Sequence, residues 1–298
     1  MAIVAQPFVK WAGGKRHLLS QLETLLPDNF DELEDVTYVE PFVGGGAVLF
    51  HMLNNHQNIR RAIINDINPS LIECYRLVKD YPNELIAELQ TIQNKYNAED
   101  IEGKERIYYN YRSKYNNDKL TSVEKAAIFI FLNHTCFNGL YRVNANGAFN
   151  VPFGKYMKPM ICNAELIRED SRLLNSVDLI IMNGDYRCVS RRLARRNINF
   201  VYLDPPYRPI SVTSSFHTYS NSPFGDEQQV ELRDFCNHLD GRDCFIMLSN
   251  SDSRNEDGTS YFEDLFGGYN FQRIYAHRFI NATSDKRVKL TEVLVRNY

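Results

Sequence analysis

No run of this chain stays apolar for the roughly 20 residues that a membrane-spanning helix needs. Cysteine is sparse: Cys74, Cys136, Cys162, Cys188, Cys236 and Cys244 are scattered, and no two form a CxxC pair. That argues against a zinc site and a disulfide framework, so reduced, packed thiols are expected, and no metal. An excess of positive charge is also missing. Lys and Arg number 34 against 37 Asp and Glu, a formal net charge of −3, and the pI is about 6.2. General coating of a polyanion is thereby disfavoured, and any nucleic-acid surface must be local. No internal repeat or low-complexity segment is visible. The opening residues, Met1 to Pro7, are too short for a secretory apolar region of about 7–15 residues, so a cytoplasmic protein is expected.

What is present is an ordinary globular composition, 44% apolar and 24% charged over 298 residues, enough for one or two domains. The chain is organised around Asp204-Pro205-Pro206-Tyr207. These follow Phe200-Val201-Tyr202-Leu203, an apolar run that reads as a buried strand. The prolines lack N–H groups and cannot continue a ladder. They hold carbonyl oxygens outward, the acid adds two acceptors, and the tyrosine adds a flat face. Acceptors beside a stacking surface suit a ring that bears an exocyclic amine. The plainer reading is a strand ending in a turn, with Asp204 as a cap.

A second constellation lies upstream. Tyr38 to Phe42 reads as a strand, Val43-Gly44-Gly45-Gly46 as a glycine loop, and Ala47 to Leu53 as a helix. Glycines there let backbone approach a ligand closely. The next strand, Ala62 to Asn65, ends at Asp66, twenty positions after Gly46. An acid so placed can take ribose hydroxyls, while a helix cap before Asn68-Pro69 is the simpler alternative. The lysine and Ser/Thr of a phosphate-binding P-loop are absent. A nucleoside without a phosphate clamp fits S-adenosylmethionine better than ATP or NAD. Before this, Phe8 to Arg16 carries the only tryptophan, Trp11, and a Gly13-Gly14 pair that is expected to open a helix through Leu26, with Lys15 one step inside.

Residues 70 to about 134 read as helical, with a polar, tyrosine-rich stretch from Lys95 to Lys119. The stretch from His134 to Tyr156 changes texture. Its Asn-Gly turns between β-formers predict a hairpin whose amides, arginine and exposed aromatics can read base edges. Arg187, Arg191 and Arg195, with Arg192 and Arg196, predict a basic helical stripe before the central strand, either a solvated face or a phosphate contact. After Tyr207, a Ser/Thr/Pro-rich stretch with Phe216, His217 and Tyr219 is long enough to suggest a lid. A helix from Gln228 to Leu239 and a strand from Asp243 to Asn250 follow. The chain then closes with two strands, Phe271 to His277 and Thr291 to Arg296. They flank a basic loop with Asn281, Thr283, Ser284, Lys286, Arg287 and Lys289.

Five stretches in this order, FVKWAGGKR, EPFVGGG, IIND, NGLYRVNANGAFNVPFG and DPPY, are far more specific together than singly. With them the chain resembles the Dam-type DNA adenine-N6 methyltransferases, including those of GATC-type restriction–modification systems, over nearly its whole length. The resemblance implies an α/β fold: a Rossmann-like, S-adenosylmethionine-dependent methyltransferase sheet with an inserted, mostly helical recognition domain that carries a β-hairpin. The catalytic domain would span 1–69 and 165–298, and the inserted domain 70–164. It implies methyl transfer to N6 of a flipped-out adenine in double-stranded DNA, without a metal, and in some members a restriction endonuclease as functional counterpart. Carried over residue by residue, Asp204, Pro205, Pro206 and Tyr207 would be catalytic. Trp11, Lys15, Phe42, Gly44, Asp66, Asp185, Tyr186 and Asp204 would contact the cofactor; Tyr186 stands where many relatives have Phe. Phe137 would wedge into the duplex, Asn138 would lie near the phosphate of the displaced base, and Leu140, Arg142 and Pro152 would read the site. Tyr141 departs from some members, and 95–120 is variable. An N4-cytosine methyltransferase, which more often has Ser at the position of Asp204, and a catalytically silent sequence-specific DNA binder stay open as alternatives.

Overall fold

The computed structural model describes residues 3–194, 197–209, 224–276 and 290–298. Arg195, Arg196, the expected lid with Phe216, His217 and Tyr219, and the expected basic loop from Asn281 to Lys289 lie outside the described residues. The architecture is mixed α/β, with a seven-stranded sheet in the order β3-β2-β1-β4-β5-β7-β6. Its strands are β1 (Val36–Glu40), β2 (Ile59–Asp66), β3 (Asp178–Asn183), β4 (Asn199–Leu203), β5 (Phe245–Ser251), β6 (Asn270–Ala276) and β7 (Leu290–Arg296). The chain divides into two compact units: 1–15, 43–56 and 66–184 form one, and 16–42, 57–65 and 185–298 the other.

The second unit contains the central strands. β1 pairs in parallel with β2 and with β4, and β4 in parallel with β5. β7 runs antiparallel to both β5 and β6, so the closing strands form the expected antiparallel pair. Every residue of β1 and β4 is buried. Central parallel strands are covered on both faces and read as unbroken apolar runs, which is why the run before Asp204 was legible. The order of strands reverses between β1 and β4. In an open α/β sheet, the crevice beyond the carboxyl ends at such a reversal is where ligands bind. Glu40-Pro41-Phe42 leaves β1 there, and Asp204 leaves β4.

The first unit is mostly helical. α2 (Ala47–Asn55) follows the glycine loop; α3 (Pro69–Asp80), α4 (Pro82–Asn97), α5 (Ile101–Asn117), α6 (Ser122–Thr135) and α7 (Ala164–Leu174) follow in order. α6 is its core, buried continuously from Ala126 to Asn133. It starts at a reciprocal cap, in which Thr121 Oγ1 accepts from Glu124 N and the Glu124 carboxylate accepts from Thr121 N. The tyrosine-rich stretch is α5, capped by Asp100. Tyr108, Tyr111 and Tyr115 recur at helical spacing, and each has a ring edge or tilted face on Phe131 or Phe129 of α6.

Two expectations are corrected and a third is refined. Gly13-Gly14 does not open a helix: α1 is only Leu19–Glu23, and no side chain caps its start. Gly13 instead has φ +79°. Among the described residues, Arg187, Arg191 and Arg192 do not form an α-helical stripe. Tyr186–Arg191 is a 3-10 helix, whose three residues per turn spread side chains four apart around the axis. The hairpin at 134–156 is present in irregular form, as antiparallel bridges without a continuous ladder. Isolated antiparallel bridges join Val143 to Phe149 and Cys136 to Phe153, with Asn144 N donating to Ala148 O and Asn150 N to Arg142 O at 2.9 and 3.1 Å. The Asn144 side chain accepts from the backbone N–H groups of Asn146 and Ala148, at 3.0 Å each; the Ala148 N–H is one that a regular ladder would have used.

Candidate functional site

In the second unit, the chain leaves β4 into a corner whose side chains are all tethered. Asp204 Oδ1 accepts from Ser249 Oγ at 3.0 Å, and Ser249 Oγ lies 3.0 Å from the Tyr202 hydroxyl. Tyr202 and Ser249 are buried within β4 and β5. Tyr207 donates to Glu292 Oε2 at 2.6 Å. Burial first, and then the carboxylates of Asp204 and Glu292, hold the Tyr207 phenol far above its ordinary range, so its proton stays in that bond. The carbonyl of Pro206 accepts from Gln229 Nε2 at 3.2 Å. Arg208 grips Asp226 through Nε and Nη2 at 2.8 and 3.2 Å, and lies 4.0 Å over the Tyr261 ring. Beneath the corner, Tyr38 donates to Glu40 Oε2 at 2.8 Å. Two prolines and these bonds fix the backbone from both sides.

Also in this unit, Phe42 stacks on Tyr186, with ring centroids 5.0 Å apart and planes at 29°. Phe235 meets Tyr186 edge-on at 5.2 Å. Burial pushes the Tyr186 phenol up to about 12. Asp185 caps the 3-10 turn at Arg187 N and takes the Arg187 guanidinium in a two-point contact of 2.8 and 3.0 Å. That guanidinium holds the Asp185 carboxyl below its ordinary range.

The first unit holds a separate arrangement around the glycine loop. Gly44 has φ +48°, and a Cβ there would lie 2.9 Å from Trp11 Cδ1. Glycine therefore serves both the left-handed turn and the close approach of the indole. Gly44 N donates to Asp66 Oδ2 at 3.0 Å, while Asp66 Oδ1 accepts from Asn68 N at 2.9 Å. Burial raises the Asp66 carboxyl above its ordinary range, and these N–H donors oppose the shift. Asn68, not Asp66, caps α3. The Tyr75 hydroxyl donates to Gly44 O at 3.0 Å. Lys15 is buried and donates to Gly13 O at 2.8 Å. The structure thus brings together Trp11, Gly44 and Asp66, and adds Tyr75.

The segment from Cys136 to Phe153 in the same unit is held by its backbone. Phe137 N donates to Pro152 O at 2.9 Å. Tyr108 and Arg112 both donate to Val151 O, at 2.7 and 3.1 Å. Asn133 Oδ1 accepts from Lys10 N, and its amide donates to the carbonyls of Lys10 and Gly139. On this frame Phe137 is 51% exposed and Leu140 39%. Asn138 sits in the left-handed region at φ 55° and is exposed, as are Arg142 and Pro152. Arg142 Nε donates to Asn150 Oδ1 at 2.7 Å. Not every aromatic is exposed as expected: Phe149 and Phe153 are buried. Tyr141 stacks on Trp11 at 5.7 Å between centroids.

Residues 11–280 match the family model of the D12 class N6 adenine-specific DNA methyltransferases. The chain belongs to this family. It is 41% identical over 296 residues to the "Type II methyltransferase M.MjaIII" of Methanocaldococcus jannaschii, covering 98% of this chain and 99% of that protein. It is 40% identical to the "Type II methyltransferase M1.LlaDCHI" of Lactococcus lactis subsp. cremoris, covering 98% and 95%. It is 31% identical to the "DNA adenine methylase" of Escherichia coli K12, covering 96% and 93%. Among solved structures, an rRNA methyltransferase from Streptomyces viridochromogenes is similar at TM-score 0.40 and 14% identity, covering 97% of this chain and 89% of that one. As a member of the D12 class the chain is an adenine-specific DNA methyltransferase, and no described helix is long and apolar enough to cross a membrane.

Sequence reasoning missed Ser249, Glu292, Gln229, Tyr75 and Asn133. Ser249, Glu292 and Asn133 are polar residues inside apolar strands or an apolar helix, and that was their only available signal, since a buried polar group needs a partner; Gln229 and Tyr75 lie in mixed helices and carried no such signal.

Proposed function

We propose that the chain transfers a methyl group from S-adenosylmethionine, in the cytoplasm, to N6 of an adenine flipped out of double-stranded DNA within GATC. One observation carries the reading: a tethered carboxylate, Asp204, leaves the sheet beside its strand-order reversal in a chain of the N6-adenine family. The residues present fit the cofactor. Gly44 gives close backbone approach, and the Asp66 carboxylate retains acceptor capacity beyond its backbone donors, Gly44, Ile67 and Asn68. By the family resemblance, Trp11, Lys15, Phe42, Gly44, Asp66, Asp185, Tyr186 and Asp204 would hold it. When bound, it supplies an electrophilic methyl group.

The chain's own residues act on the amine. The lone pair of an adenine amine is delocalised into the ring, so the nitrogen is a weak nucleophile. Asp204 and the Pro205 carbonyl accept its N–H groups and favour a tetrahedral nitrogen; Pro206 keeps that backbone rigid. Such fixed acceptors stabilise positive charge as it develops on nitrogen. The Tyr207 ring stacks on the extruded base, worth ~1–3 kcal/mol. Extrusion is required because the amine is otherwise paired. Residues 70–164 form the recognition region. There Phe137 enters the stack, Asn138 meets the displaced phosphate, and Leu140, Arg142 and Pro152 read the site. Relatives named as Type II methyltransferases extend the reading to a restriction endonuclease as counterpart.

The test is methyl transfer from labelled S-adenosylmethionine to unmethylated DNA, followed by nucleoside analysis and mapping. N6-methyladenine in GATC is expected. N6-methyladenine in another sequence overturns the recognition part alone, and absence of N6-methyladenine overturns the whole.

A further inference from the structure

We infer that Ser249 is a positioning residue for Asp204, and that Tyr202 orients Ser249. The inference rests on the reading of Asp204 as the acceptor of the amine, and deepens it. Leu248 pairs with Leu203 across β4 and β5, so Ser249 is one step on, level with the residue that leaves β4. Its hydroxyl reaches Asp204 Oδ1 at 3.0 Å and the Tyr202 hydroxyl at 3.0 Å.

Chemistry fixes the direction of this chain. An ionised carboxylate only accepts, so the single Ser249 proton points to Asp204. The Ser249 oxygen must then accept, and the Tyr202 hydroxyl is the donor. Tyr202 keeps its proton, because burial and the carboxylates of Asp204, Glu40 and Glu292 hold its phenol far above the ordinary range. Tyr202 is 1% exposed and Ser249 0%, so water does not compete for the bond between them. A serine in a buried strand costs stability unless it is bonded; here its bond serves the one side chain that must hold a fixed rotamer. An acceptor misplaced by about 1 Å can cost roughly 10²-fold in rate.

The experiment measures single-turnover methyl transfer, cofactor affinity and DNA affinity for the full chain. Ser249→Ala is expected to lower the transfer constant roughly 10- to 100-fold, with both affinities within about twofold. Ser249→Thr, which keeps the donor, should recover most of the rate. Tyr202→Phe leaves Ser249 in place and should lower the rate roughly 2- to 10-fold; it also serves if Ser249→Ala fails to fold. Adding Ser249→Ala to Asp204→Ala should cost little more than Asp204→Ala alone, since contacting residues couple. Wild-type rates in Ser249→Ala and Tyr202→Phe would overturn the inference while leaving Asp204 untouched. Full additivity in the double variant would also overturn it. Full activity in Asp204→Ala would instead overturn the reading on which the inference rests.

Discussion

The corner after β4 and the segment from Phe137 to Arg142 are held in opposite ways. At the corner the side chains are fixed: Asp204 by Ser249, Tyr207 by Glu292, Arg208 by Asp226. In the segment the backbone is fixed, by Pro152 and Asn133, and Phe137, Asn138 and Leu140 are exposed, with Arg142 held by Asn150. The difference matches two kinds of work. Chemistry on an amine needs acceptors already in place, because reorganisation during the reaction raises the barrier. Reading a duplex needs exposed groups that meet base edges on a frame that keeps their register.

Breaking the first kind of support should give the largest effect. Asp204→Ala is expected to lower methyl transfer roughly 10³-fold while DNA affinity, measured by fluorescence anisotropy, barely changes. Parallel loss of both would show that the corner builds the fold rather than the reaction. Tyr207 separates ring from hydroxyl. Tyr207→Ala should weaken binding of DNA carrying an extrahelical adenine by ~1–3 kcal/mol. Tyr207→Phe keeps the ring but deprives buried Glu292 of a donor, so it should cost ~1–3 kcal/mol in urea unfolding with stacking preserved. Equal stacking losses would refute the division.

Breaking the second kind should change selectivity rather than rate. Arg142→Ala is expected to lose ~1–3 kcal/mol of discrimination at one base pair, scored on a panel of single-substituted duplexes, and to leave the thermal midpoint alone because the residue is exposed. Uniform weakening on every duplex would mark a phosphate contact instead.

The two regions also differed in how far they could be read from sequence. Phe200 to Leu203 announced a buried strand by being apolar throughout, and Asp204 to Tyr207 announced a rigid stop by chemistry that needs no partner. The glycine loop and Asp66 were legible because their spacing is local. Ser249 and Glu292 were not: the meaning of Ser249 arises only when β5 is laid beside β4, 45 positions from Asp204, and that of Glu292 only when β7 brings it to Tyr207, 85 positions away. The hairpin was legible in outline only, because Asn-Gly signals a turn without saying how regular the ladder beside it is. Asn144 interrupts that ladder by taking the Ala148 N–H on its own side chain. The arginine stripe was misread because a spacing of four means one face only in an α-helix.

A buried acid that lacks such support sharpens the comparison. Asp170 in α7 is 0% exposed and accepts from Gln6 N at 2.9 Å, but among the described residues its Oδ2 has no partner. Burial pushes its carboxyl up to about 8. Between the ordinary aspartate range near 4 and this value, the folded chain keeps a proton that the unfolded chain has lost. Stability from this group therefore falls as pH rises through that window. Asp170→Asn keeps an acceptor for Gln6 and carries no charge to desolvate. It is expected to leave stability nearly unchanged at pH 4 and to raise it by ~1–2 kcal/mol at pH 8, read from urea midpoints at both values. Methyl transfer should stay at wild-type rate, because Asp170 belongs to neither region. A gain equal at both pH values would mean that shape and not charge sets the cost. A loss at pH 8 would mean that the carboxylate is held by donors, as Asp204 is.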